Sequence, residues 1–132
     1  MKAKALPGTR VAVLGAGSWG TTFAKILADG GADVVLWARR PELAREISEA
    51  RRNSDYLPGI NLPLGLRATS RLDLALVGAE QVFVSVPSQT LRDNLILAEP
   101  YLAENAIIVS LMKGVEKASG LRMSEVIGEL LP

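Results

Sequence analysis

Arg10-Val-Ala-Val-Leu14, followed directly by Gly15-Ala16-Gly17-Ser18-Trp19-Gly20, is the stretch that decides the fold. The first five residues form a short, nearly continuous apolar run, the pattern of a strand buried on both faces. Three glycines in Gly-x-Gly-x-x-Gly spacing then lead into Phe23, Ala24, Ile26 and Leu27, whose spacing predicts a helix over Trp19–Ala28, stopped by Gly30-Gly31. A strand, a glycine turn and a helix in immediate succession are the opening of a unit that binds a dinucleotide pyrophosphate. Gly15 permits the tight turn, Gly17 lets the backbone approach the anion, and Gly20 lets the helix pack closely on the strand. The first amides of the helix and its dipole then hold the negative charge. Ser18 can add a hydroxyl donor, and Trp19 a flat apolar face.

Downstream, strands and helices alternate. Asp33–Trp37 is β-branched and apolar and predicts a second strand. Pro41 suits the first turn of a helix running to about Arg52, with Glu42 at its positive end. Residues 53–65, with Pro58-Gly59 among them, predict an irregular connection. A third strand is expected over Leu66–Thr69 and a short helix over Leu72–Ala79. Gln81–Val86 reads as a strand ended by Pro87. Leu91–Leu102 is helical in character although Pro100 interrupts it, Ala106–Leu111 predicts another buried strand, and Leu121–Leu131 an amphipathic helix. Such alternation predicts an α/β chain of Rossmann type: a doubly wound, mainly parallel sheet with helices on both faces, occupying residues 1–132 as one domain.

Composition narrows the chemistry. The 132 residues are 48% hydrophobic and 22% charged, with 15 basic against 14 acidic side chains. That balance offers no basic surface for nucleic acid. No apolar run approaches the ~20 residues of a membrane span, and the segment after the N-terminal lysines is too short for a signal peptide. Cysteine and histidine are both absent, which removes disulfides, thiolate nucleophiles and the commonest metal ligands, so no metal site is expected. The expected setting is cytoplasmic. Catalysis must draw on Lys, Arg, Ser, backbone amides or a bound cofactor.

The end of the second strand bears on which dinucleotide binds. An NAD site usually carries an acid there for the ribose 2′-hydroxyl; this chain has Trp37-Ala38-Arg39-Arg40, with no acid before Glu42. Two guanidiniums favour a 2′-phosphate through bidentate hydrogen bonds, hence NADP(H), with NAD(H) remaining open. Lys113 follows the last predicted strand and precedes Gly114. Ligands of open α/β sheets sit outside the carboxyl ends of strands, and a lysine there can steady a phosphate or a developing oxyanion. Pro87 should turn the backbone toward the cofactor, and Ser88 can cap the next helix.

Several segments in order carry a resemblance: Gly15-Ala-Gly-Ser-Trp-Gly20-Thr, Val35-Leu-Trp-Ala-Arg39, Asn53-Ser-Asp-Tyr-Leu-Pro-Gly59, Val86-Pro-Ser-Gln89, Leu111-Met-Lys-Gly-Val-Glu116 and Met123-Ser-Glu-Val-Ile-Gly-Glu-Leu-Leu-Pro132. The chain resembles the N-terminal domain of bacterial NAD(P)-dependent sn-glycerol-3-phosphate dehydrogenases from about Thr9 onward. The resemblance implies reversible hydride transfer between NAD(P)H and dihydroxyacetone phosphate, giving sn-glycerol 3-phosphate for phospholipid synthesis. It implies cofactor contacts at Ser18, Trp19 and Arg39, weaker matches at Arg40 and Tyr56, and a substrate-contacting lysine beside the nicotinamide at Lys113. An aromatic side chain that some relatives place near Thr90 is replaced here by Thr90-Leu91. It further implies a helical C-terminal domain, absent from these residues, that supplies the main catalytic lysine and most substrate-phosphate ligands; the whole protein is expected to be a homodimer, and this part to bind cofactor without turnover. Two competing readings are another two-domain dehydrogenase (acting on a 2-hydroxy acid, ketopantoate or a sugar nucleotide) and a non-catalytic NAD(P) redox sensor.

Overall fold

The computed structural model describes residues 8–131; the lysine-bearing N-terminus and Pro132 lie outside that range. Five strands, β1 (Arg10–Leu14), β2 (Asp33–Trp37), β3 (Leu66–Thr69), β4 (Gln81–Val84) and β5 (Ile107–Ser110), form one all-parallel sheet in the order β3-β2-β1-β4-β5. The helices are α1 (Ser18–Asp29), α2 (Pro41–Arg45), α3 (Leu72–Leu76), α4 (Leu91–Ala98) and α5 (Met123–Leu130).

Alternation along β1 explains why both faces are covered. Val11 and Val13 enter one core with Ala24 and Ala28 of α1, Leu43 of α2, Ile47, Val34, Leu36 and Leu66. Ala12 and Leu14 enter a second core with Val35, Leu76 of α3, Leu91 and Leu95 of α4 and Val126 of α5. Side chains such as Leu14, Leu36, Leu66 and Leu95 are fully buried, each worth about 1.5–3 kcal/mol relative to exposure. The register aligns the strand ends: Leu14 pairs with Trp37 and Val84, Trp37 with Thr69, and Val84 with Ser110. Everything that follows these residues therefore emerges along one edge of the sheet.

Several boundaries differ from the sequence reading. The helix from Pro41 is α-helical only to Arg45 and widens into a π-type turn over Glu46–Ala50. Within that turn the Ser48 hydroxyl donates to the Ala68 carbonyl (3.0 Å) and accepts from its N–H (2.9 Å), hooking the segment onto β3. Arg51, with φ at 59°, then turns the chain away. The helix expected to reach Ala79 stops at Leu76, because Val77 is extended and Gly78 has φ at 70°. β4 ends at Val84 rather than Val86, and α4 is bracketed by tighter helical turns over Ser88–Thr90 and Glu99–Tyr101. β5 was expected to be buried. Instead it is one of the two edge strands, pairing among the described residues only with β4, and its Ile107 is 59% exposed. Among the described residues no helix is long and apolar enough to cross a membrane.

Candidate functional site

The chain runs outward from β1 to β3, then crosses back to place β4 on β1's other side. A crevice forms outside the carboxyl ends of strands where the order reverses in this way. A cleft of about 730 Å3 opens there, and it brings together Gly15, Gly17, Ser18, Trp19, Gly20, Arg39, Arg40, Tyr56 and Pro87.

The glycine loop has two glycines closed by protein and one that is open. Gly15 has φ at 114°, and a Cβ on it would collide with the Ser85 backbone. A Cβ on Gly20 would collide with the Gly15 carbonyl oxygen, so α1 can sit this close to β1 only with glycine there. Gly17 is different: a Cβ on it would meet nothing within 4 Å. It is the N-cap of α1, and no side chain caps that end. The first amides of a twelve-residue helix are thus left without an intrahelical acceptor, facing open space at the positive end of the dipole. That cradle fits a pyrophosphate.

Ser18 donates its hydroxyl to the Tyr56 carbonyl at 2.6 Å, so its own contribution to an anion is the backbone N–H. The same contact draws the 53–59 loop over the glycine loop. Asn53 completes the junction. It is fully buried, its amide donates to the Ala16 carbonyl and to Thr21 Oγ1 (2.9 Å each), and its Oδ1 accepts from the Tyr56 N–H at 3.2 Å. Trp19 is 58% exposed and lies at the cleft rather than in the core.

The two arginines part company. Arg40 donates from Nη2 to Asp55 Oδ2 at 2.6 Å and has Nη1 at 3.6 Å from Glu42 Oε1. The Asp55 hydrogen bond raises its already high pKa. Arg39 lines the same cleft, exposed to solvent.

Lys113 is not in this cleft. It lies in an adjoining shallow hollow with Ser110, Leu111, Met112 and Trp19, so Trp19 borders both. The turn that carries Lys113 is held from two sides. Gln89 Nε2 donates to the Val115 carbonyl (2.9 Å), and Gln89 Oε1 accepts from the Lys117 N–H (3.0 Å). Glu116 is buried and accepts two hydrogen bonds from Arg92 of α4 (2.9 and 3.0 Å) and one from the Ser119 hydroxyl. Arg92 also donates to Glu129 of α5 at 2.6 Å. Arg92, and then Ser119, hold the Glu116 carboxyl below the usual carboxylate range. Ser88 makes no capping bond; Thr90 instead donates its hydroxyl to the Pro87 carbonyl at 2.7 Å.

Asn53, Asp55, Gln89 and Glu116 are thus the residues that reasoning on candidate sites missed. Each lies inside one of the segments that carry the family resemblance, which was the available signal.

Comparison with known proteins bears on the fold and the family. The family model described as NAD-dependent glycerol-3-phosphate dehydrogenase N-terminus matches residues 10–132. Over 120 residues the chain is 72% identical to the glycerol-3-phosphate dehydrogenase (NAD(P)+) of Leifsonia xyli subsp. xyli, covering 91% of this chain and 32% of that protein. The crystal structure of glycerol-3-phosphate dehydrogenase from Coxiella burnetii superposes with a TM-score of 0.87 at 32% identity, over 94% of this chain and 38% of that one. The yeast (Saccharomyces cerevisiae) enzyme gives 0.81 at 28% identity, over 92% and 39%. The chain spans roughly a third of the length of the curated relatives it matches. Sheet order, glycine cradle and these matches lead to one conclusion: the chain belongs to the NAD-dependent glycerol-3-phosphate dehydrogenase family, as the N-terminal part that the family model describes.

Proposed function

We propose that this chain is the cofactor-holding part of an sn-glycerol-3-phosphate dehydrogenase, a cytoplasmic homodimer that makes the glycerol phosphate used in phospholipid synthesis. One observation carries the cofactor reading: α1 begins at an uncapped Gly17 whose missing side chain leaves room for an anion, at the point where the strand order reverses. The pyrophosphate lies on the amides of Gly17, Ser18, Trp19 and Gly20, with Gly15 giving the turn. Trp19, Tyr56 and Pro87 border the ligand. Arg39 takes a 2′-phosphate, so NADP(H) is preferred and NAD(H) is also accepted. When bound, the dinucleotide supplies or takes up the hydride that interconverts dihydroxyacetone phosphate and sn-glycerol 3-phosphate.

Lys113 steadies the substrate, through its phosphate or through the oxygen that gains charge as the carbonyl is reduced. Its position supports this role: it follows β5 at the carboxyl edge of the sheet, on a turn braced by Gln89 and Glu116. A helical C-terminal domain supplies the main catalytic lysine and the remaining phosphate ligands; the chain's coverage of about a third of its relatives leaves room for it.

The test uses the whole protein. Lys113→Ala should cut kcat/KM for dihydroxyacetone phosphate by about a hundredfold, while the Kd for NADPH changes by less than about threefold. Normal turnover in that variant would remove Lys113 from the reaction and favour a role in sensing the cofactor.

A further inference from the structure

The Arg40–Asp55 pair lies where cofactor discrimination is decided. In dinucleotide folds the end of the second strand reads the 2′ position of the adenosine ribose, and here Arg39 and Arg40 follow that strand and line the cleft. Arg39 is exposed, whereas Arg40 gives Nη2 to Asp55 at 2.6 Å. Asp55 does not sit on a free loop. Asn53, fully buried, ties the segment to the glycine loop, and Ser18 binds the carbonyl of the neighbouring Tyr56. The carboxylate is therefore presented to Arg40 by the same contacts that shape the cofactor cleft.

A carboxylate and a phosphate seek the same N–H groups of a guanidinium. A 2′-phosphate arriving at Arg40 must displace Asp55 or lie close to its negative charge, and either weakens the phosphate's hold. A 2′-hydroxyl is neutral and meets no such opposition. Both Arg40 and Asp55 keep much of their side-chain surface in solvent, 40% and 56%, so the pair is weak enough to be exchanged rather than locked. Its effect is thus graded, and it falls on one of the two cofactors.

We propose that Asp55 sets the coenzyme discrimination of this site: by holding Arg40 through its shortest ion pair, with Glu42 farther off at 3.6 Å, it leaves Arg39 to meet a 2′-phosphate, bringing the affinities for NADP(H) and NAD(H) closer together than Arg40 without Asp55 would. The inference rests on the reading of the cleft as a dinucleotide site. Asp55 is exposed, so Asp55→Ala leaves the packing intact. Equilibrium titrations of the whole protein with NADPH and with NADH should show the variant binding NADPH about five- to tenfold more tightly, with NADH changed by less than about twofold. In an Arg40→Ala background the same substitution should leave the NADPH-to-NADH ratio within about twofold. An unchanged ratio in Asp55→Ala, or an equal gain without Arg40, overturns the role of Asp55 while leaving the cofactor site standing. Failure of the unaltered protein to bind either dinucleotide overturns the cofactor site itself, and Asp55's role with it.

Discussion

Single atoms decide the glycine loop, and Gly20 and Gly17 should respond differently to the same added methyl group. Gly20→Ala drives a Cβ into the Gly15 backbone, which has no way to yield without moving β1 from α1. Overpacking of this kind costs about 3 kcal/mol or more, and most of the protein should unfold or melt far earlier. Gly17→Ala meets no protein atom and has ordinary negative φ, so it should fold at a cost on the order of 1 kcal/mol for the poorer N-cap. Its affinity for NADPH should nonetheless fall by at least about tenfold, because the methyl group would enter the space proposed for the anion. Calorimetric melting paired with NADPH titration separates the two, and Gly17→Ala with unaltered affinity would place the pyrophosphate elsewhere. Asn53 gives a third response. Asn53→Ala leaves the Ala16 carbonyl and Thr21 hydroxyl buried without their donor, which should cost about 2 kcal/mol in urea denaturation. The glycine pattern could be read in the sequence because its purpose is local geometry. The role of Asn53 could not, because its partners lie 37 and 32 residues away.

At the scale of elements, the strands were legible because runs such as Val34-Val35-Leu36 and Val82-Phe83-Val84 must be buried on both faces. Helix ends were less so. The π-type turn at Glu46–Ala50 answers to Ser48's bonds with β3, and β5's place at a sheet edge answers to the strand order; neither fact is written in the local sequence. The turn bearing Lys113 is governed in the same way by distant partners. Gln89→Ala removes both of its bonds to that turn. With Lys113 in its proposed role, kcat of the whole protein should drop by at least about tenfold, since small misplacements of a group at the reaction centre are costly, with the NADPH Kd unchanged within about twofold. Equal loss in both quantities would mean that Gln89 supports the cleft rather than the turn. The Arg92–Glu116 pair adds a pH signature. A carboxyl whose folded pKa is depressed stabilises the fold above its unfolded pKa and loses that contribution as pH falls through the folded value. Glu116→Gln should therefore melt below the unaltered protein at pH values above the ordinary glutamate range, and the gap should narrow as pH falls below that range. A gap independent of pH would assign the effect to packing instead of charge.

For the molecule as a whole, the question is which ligands these residues can recognise alone. Strand alternation was enough to read a doubly wound sheet, and the sheet order fixes one crevice, at β1 and β4, walled by the glycine loop and the arginines. That crevice is built entirely from residues 15–94. The Lys113 hollow is not comparable: it is shallow and offers one exposed ammonium among apolar neighbours, Leu111, Met112 and Trp19. A single solvated lysine binds a phosphate monoester weakly, whereas helix amides, a dipole and a guanidinium line the cleft proposed for the dinucleotide. Ligand that binds only the folded state adds about 2.7 kcal/mol of stability at a hundredfold excess over its Kd, equivalent to a rise in melting temperature on the order of 10 °C for a domain of this size. NADPH should produce such a rise in the 132-residue chain. Millimolar sn-glycerol 3-phosphate should shift it by less than about 1 °C, with or without NADPH, and the whole protein should respond to both. A glycerol phosphate shift as large as that from NADPH would mean that the substrate site is already complete around Lys113. The division of labour proposed between this chain and a C-terminal domain would then be wrong, even though the cofactor cleft remained.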